Sequence, residues 1–224
     1  MDAIRAAHAP QPSVPAPIHS DPNTALGRFE RSMAIDYEKW HDGVGYDLDA
    51  IAAAPPQERA AIQNLLLQRG TRDWRDVEAL AALNTPAAQS ELMAALEHSD
   101  AQIRLTVTRS APQLVTESQR VSSLVKALDT AIEAGGLSQA LDEAAEFHPK
   151  PVIESLLRGV LQREGETAVN FAAMLLFVHN KADSPFDWDQ RPFLLRFNTP
   201  DRRERQAEFV ELCGKIGFNP AGRV

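Results

Sequence analysis

The chain is read as all-α on three observations. Apolar residues recur at three- and four-residue spacing in one stretch after another, whereas no stretch of comparable length alternates with the two-residue period of a strand. Short turns separate these stretches and carry capping residues, prolines and glycines where helix ends require them.

Residues 1–24 form a Pro/Ala-rich stretch, with prolines at 10, 12, 15, 17 and 22. It has too little branched apolar content to repay the ordering of its backbone, so a disordered tail is expected; His8 and His19 within it are too isolated for a metal role. The stretch carries neither the apolar core of a secretory signal nor the arginines of a transit peptide. From residue 25 to about 219 a single helical domain is expected.

In the next stretch, "DYEKWHDGVGYD" (36–47), Gly43 and Gly45 permit a sharp turn, and Asp47 is placed to cap "LDAIAAA". "PPQERAAIQNLLLQRG" has prolines in the first turn, Glu58 early and Gly70 at the stop; "RDWRDVEALAAL" has Asp73 as its cap. "TPAAQSELMAALEHS" starts from Thr85 and Pro86 and repeats Ala88, Leu92, Ala95 and Leu96 at helical spacing. Ile103, Val107, Ala111 and Leu114 form one stripe, and Val121, Leu124, Val125, Leu128, Ala131 and Ile132 form the next, ended by two glycines. "LSQALDEAAEF", "PKPVIESLLRGVLQREG" and "ETAVNFAAMLLFVHNK" follow as helices, then a shorter piece around "SPFDWDQRPFLLRF". The final helix opens at Thr199 and Pro200, alternates charges of opposite sign on a solvated face, and sets Phe209, Leu212, Cys213 and Ile216 on one apolar face.

Composition narrows the function classes. With 23 basic and 31 acidic residues the net charge is −8, which disfavours binding to nucleic acid and favours a basic partner. The longest charge-free apolar run, "FAAMLLFV", is far short of the ~20 residues that cross a bilayer, so no membrane role is expected and the cytoplasm is the expected location. The lone cysteine, Cys213, excludes an intrachain disulfide and reads as a core residue.

Within residues 85–114, one amphipathic helix, the turn "HSDAQIR" and a second helix follow each other, with Asp100, Ile103 and Arg104 opening the second. This resembles the HEAT repeat, whose second helix opens with an aspartate, an aliphatic residue and an arginine. In that pattern Asp100 caps the helix and Arg104 reaches carboxylates or turn carbonyls, a structural ladder between units. A weaker echo has Glu166, Val169 and Asn170 at the corresponding places. "YEKWHDGVGYDLDA", "RDWRDVEALAAL", "AVNFAAMLLFVHNKA" and "FDWDQRPFLLRFNT" make the whole chain similar to a group of bacterial HEAT-like repeat domain proteins with no assigned activity. The resemblance implies a short α-solenoid of stacked antiparallel helix pairs with aromatic N- and C-terminal caps, and it implies no chemistry.

Two segments concentrate aromatic and charged residues. In the first, Trp40, His41, Asp42 and Tyr46 are candidate binding residues; the competing structural reading makes Tyr37, Trp40 and Tyr46 a clasp with apolar bodies and polar tips. In the second, Asp187, Trp188, Asp189 and Arg191 are candidates, because exposed aromatics with arginine anchor protein interfaces; here the competing role is a cap built from Phe186, Trp188, Phe193 and Phe197. Glu143, Glu146 and His148 lie close together, yet a helix-terminal histidine explains them, since no nucleophile or oxyanion donor accompanies them. No phosphate loop, nucleophile elbow, HExxH or CxxC pattern occurs, so no catalytic residue, metal site or cofactor is assigned.

The expected function is a non-enzymatic protein-protein interaction module that acts as a monomer on another protein, an inhibitor or immunity-type binder of a bacterial protein being its specific version. The alternative is a ligand- or metal-binding protein or enzyme with its site between "KWHDGVGYD" and "FDWDQR".

Overall fold

A computed structural model of the chain describes residues 20–130, 136–185 and 187–219. Most of the tail, with His8 and His19, lies outside the described residues, as do Ala131 and Ile132 of the predicted stripe and Phe186 of the predicted cap. The described residues are helical and contain no β-strand, as the spacing predicts. None of their helices is long and apolar enough to cross a membrane.

The chain divides into two compact units, one ending at Ala95 and the other beginning at Leu96. The first holds α1 (Ala25–Ser32), α2 (Tyr37–His41), α3 (Leu48–Ala53), α4 (Pro56–Arg69), α5 (Trp74–Leu83) and α6 (Pro86–Ala95). Asp21 to Thr24 form a hydrogen-bonded turn, from which the Thr24 hydroxyl caps α1 by accepting from the Gly27 N–H. Glu58 at the start of α4 accepts from the Leu26 N–H, which closes a second free donor of α1. Asp47 caps α3 through the Ala50 N–H, and Pro56 opens α4 as the sequence predicts. α4 packs on α5 and α6, and α5 also packs on α3 and α6; Phe29, Ile51, Ile62, Leu66, Leu80 and Leu92 are fully buried among them. Arg59 crosses this layer and donates to the carbonyls of Ile51, Ala82 and Leu83, satisfying the ends of α3 and α5 together.

The second unit holds α7 (Ala101–Ser110), α8 (Glu117–Thr130), α9 (Leu137–Glu146), α10 (Lys150–Gln162), α11 (Gly165–Val178), α12 (Arg191–Leu194) and α13 (Arg202–Ile216), with 3-10 turns at Pro112–Leu114, Trp188–Gln190 and Leu195–Phe197. α7 packs on α8 and α9, α8 on α9 and α10, α9 on α11, and α10 on α11 and α13. The apolar run of α11 lies at the centre of the core, with Phe171 to Leu176 all buried. α10 approaches it closely because Gly159 has no side chain: a Cβ there would meet Phe171 Cδ2 at 2.2 Å. The predicted face of α13 is buried as expected, and burial pushes the Cys213 thiol up to about 11, which keeps it protonated and poorly nucleophilic.

Candidate functional site

The first aromatic segment divides into an inner and an outer half. In the inner half Tyr46 is buried, packs edge-on against Phe29 with ring centroids 5.8 Å apart, and donates through its hydroxyl to Asp76 Oδ1 at 3.2 Å. Asp76, fully buried on α5, also receives the Arg69 Nε–H at 2.9 Å and the backbone N–H groups of Arg72 and Asp73 at 3.1 and 3.0 Å. Asp73 and Asp76 together make a capping box at the start of α5. Beside it Arg75 reaches Asp73, donates to the Val44 carbonyl and stacks on Trp74, with 4.4 Å from the guanidinium carbon to the ring centroid. These contacts hold Val44 to Tyr46 against α5. Gly43 makes the preceding turn at φ +65°, where a Cβ would be strained.

The outer half is α2, which buries no residue. Asp36 caps it through the Lys39 N–H. Tyr37 is 69% exposed and Trp40 is 41% exposed, with their rings 6.0 Å apart; His41 lies 6.0 Å from Tyr37 and pairs with Asp42 through Nδ1 at 3.0 Å. Of the three aromatic residues in the structural reading, only Tyr46 is anchored in the core.

Burial first, and the charge of Asp76 second, push the Tyr46 phenol above its ordinary value of 10.0. A phenol that ionises less readily folded than unfolded contributes stability that is intact below pH 10 and erodes as pH rises toward its folded value. Tyr37→Phe leaves Tyr46 as the sole tyrosine. Its phenolate absorbance is expected to appear only well above pH 10.0, together with loss of helical circular dichroism. Ionisation near pH 10 with the helices intact would contradict the Tyr46–Asp76 contact.

The second aromatic segment lies in the second unit and faces two ways. Phe193, Leu194 and Phe197 pack into the core; the two phenylalanine rings meet at 90° with centroids 5.4 Å apart. Arg196 bridges Glu208 and Glu211 of α13 and lies over Phe193, as does Lys215. These contacts fasten the segment to α13. Trp188 and Leu195 point outward instead, 74% and 50% exposed, and Arg191 stacks on Trp188 at 4.6 Å. Asp187 caps the turn by accepting from the Asp189 N–H, and it also accepts from the Asp183 N–H. The Asp189 side chain is exposed on the turn.

Between this segment and α11 runs a groove of about 280 Å³ with a mainly apolar lining, bordered by Asp187, Trp188, Arg191 and Leu195 on one side and by Glu166 and Asn170 on the other. Of the four residues predicted here, three therefore meet at one groove. The α11 wall was legible only as the weak repeat echo at Glu166, Val169 and Asn170. Leu195 carried no signal, since a leucine in "RPFLLRF" reads as core.

The candidates from the first segment lie in the first unit and those from the second segment in the second. Among the described residues no group of three or more His, Cys, Asp and Glu side chains is placed to hold a metal ion. Glu143 is engaged by Arg120 at 2.6 Å, and His148 Nδ1 lies 3.1 Å from the Ala144 carbonyl. Asp100 caps α7 through the Gln102 N–H, and Arg104 donates through Nη1 to the carbonyls of His98 and Ser99 in the loop just before that helix. Comparison with protein-family models, curated proteins and solved structures gives no match.

Proposed function

We propose that the chain is a non-enzymatic protein-binding module and that the α11 groove takes the partner. The observation that carries this reading is the outward pair Trp188 and Leu195, with Arg191 stacked on the indole, at the edge of an apolar groove. Tryptophan and arginine dominate interface energetics, and large exposed apolar side chains gathered at one place mark interaction surfaces. Glu166 and Asp187 at the groove edge and the net charge of −8 favour a basic partner. An inhibitor or immunity-type role toward another bacterial protein, exercised by a monomer in the cytoplasm, is the specific form of this proposal.

Its architectural part is a HEAT-like α-solenoid. Support comes from packing inside each unit, where α4, α7 and α8 each contact the next helix and the next but one, the pattern of stacked helix pairs. The arginine expected in the repeat ladder, Arg104, closes turn carbonyls of its own loop. The best repeat-like stretch, residues 85–114, contributes α6 to the first unit and α7 to the second.

The test is capture of partners on the tagged full-length chain from extract of the native cell, with Trp188→Ala run in parallel. One stoichiometric protein is expected on the parent chain. Affinity for it should fall by at least about 30-fold in the variant, the loss typical of an interface anchor worth about 2 kcal/mol. Equal capture by both chains would remove the groove from the proposal. Absence of any protein, with a metabolite or metal copurifying, would replace the binder by a ligand-binding protein.

A further inference from the structure

Among the described residues of the second unit, Arg104 is the most deeply buried cation, at 2% exposure. Its Nη1 is engaged by the His98 and Ser99 carbonyls, but Nε has no hydrogen-bond partner. Among the described residues no carboxylate lies within ion-pair distance of its guanidinium. A buried guanidinium without a counter-charge is costly, and carbonyl oxygens alone do not neutralise it.

The surroundings of Arg104 are built from one helix face. Gln119, Ser122, Ser123 and Lys126 recur at i, i+3, i+4 and i+7 along α8, which puts an amide, two hydroxyls and an ammonium in one row. The buried Leu124, Ala127 and Leu128 lie on the core side of the same helix. This polar row, Arg104, Leu96 and Glu97 line a small cavity of about 80 Å³. Gln119 is already oriented, because its Oε1 accepts from the Thr116 N–H and hydroxyl, leaving its amide N–H groups as donors. The charged groups facing the cavity are Arg104 and Lys126 against the single carboxylate of Glu97.

We infer that this cavity between α7 and α8 binds one tetrahedral oxyanion of the phosphate or sulfate class, which supplies the counter-charge to Arg104. The Arg104 guanidinium supplies positive charge and charge-assisted donation to oxygens of such an ion. The Lys126 ammonium and the Ser122 and Ser123 hydroxyls serve the remaining oxygens, more donors than a planar carboxylate uses. The cavity admits a single small ion and is too small for a nucleotide. Exposed Ser122, Lys126 and Glu97 leave it open to solvent, so the ion can arrive free or as the terminal group of a larger molecule. This inference is independent of the α11 groove.

The experiment is calorimetric titration of the full chain with inorganic phosphate at constant ionic strength, repeated with sulfate, acetate and a phosphomonoester. Phosphate and sulfate are expected to bind at one site with Kd of about 1 mM or tighter. Acetate should be at least about tenfold weaker, by the lost charge and donor contacts. Lys126→Ala and Ser122→Ala alter exposed residues, and their folding is checked by circular dichroism. Each should weaken phosphate binding, Lys126→Ala by about tenfold or more, whereas Glu97→Gln should tighten it by removing a like charge. Equal affinity for acetate, a weaker Kd than that stated, or indifference to Lys126→Ala overturns the assignment. The phosphomonoester arm separates the sources: affinity equal to phosphate shows that a terminal group is accepted, and loss of affinity restricts the site to the free ion.

Discussion

Asp76→Ala is expected to destabilise the first unit by about 3–5 kcal/mol. Four donors converge on that carboxylate: the Tyr46 hydroxyl, the Arg69 guanidinium and the N–H groups of Arg72 and Asp73. Removing the acceptor strands them together, and a buried donor left unsatisfied costs about 1–3 kcal/mol. Arg69, a third exposed, regains water and contributes least to the loss; Tyr46 and the α5 end contribute most. Burial raises the Asp76 carboxyl above its ordinary value while the four donors favour the ionised form, so Asp76→Asn, which keeps the shape and one acceptor oxygen, should cost less than the alanine variant. With Trp40 and Trp188 replaced by phenylalanine, Trp74 becomes the only tryptophan and its fluorescence in urea reports unfolding of this unit. A change below about 1 kcal/mol would show that Tyr46 is held by packing against Phe29 alone.

Phe171→Ala is expected to cost about 3–5 kcal/mol, and its relation to Gly159 is the more discriminating measurement. By helix propensity Gly159→Ala should stabilise α10 by up to about 1 kcal/mol. The added methyl would sit 2.2 Å from the Phe171 ring edge, however, and that ring is enclosed on its other sides by core. Overpacking of this kind costs about 1–3 kcal/mol, which exceeds the propensity gain, so the substitution destabilises the parent. In the Phe171→Ala background the clash is gone and the same methyl partly fills the cavity. Gly159→Ala should there be neutral or stabilising. Urea unfolding followed by circular dichroism for the four chains measures this reversal. Simple additivity would mean that α10 and α11 do not meet through this pair.

Both results depend on contacts whose partners are distant in the sequence or unremarkable within it. Asp73 was readable as a helix cap, and "DWRD" already contained the second acid of a capping box. That Asp76 also receives Tyr46, thirty positions earlier, follows from the folding of the 44–46 stretch onto α5 and from no local pattern. Nothing in the sequence around Gly159 calls for a glycine inside α10; only the approach of α11 gives its missing side chain a purpose. In "FDWDQRPFLLRFN", aromatic and charged residues alternate without a helical period, and the sequence offered capping and binding as competing roles. The structure divides them by residue: Phe193 and Phe197 pack inward, Trp188 and Leu195 outward.

Residue spacing alone determined the all-helical class and most of the buried faces from α3 onward, because an apolar stripe must leave water and that demand is local. It gave no sign of α1 or α2, carried the α7 stripe past the helix end at Ser110, and started the last helix at Thr199 where Asp201 caps it. It also determined that Cys213 is buried, through its place on the α13 stripe. Tertiary packing alone decided which polar groups are satisfied: it closed four donors on Asp76, set Trp188 and Leu195 at the edge of a groove, and buried Arg104 beside the polar row of α8 without a counter-charge. The physical reason is range. Helix formation is settled within a few residues, whereas the solvation of a charge depends on whatever the rest of the chain brings against it.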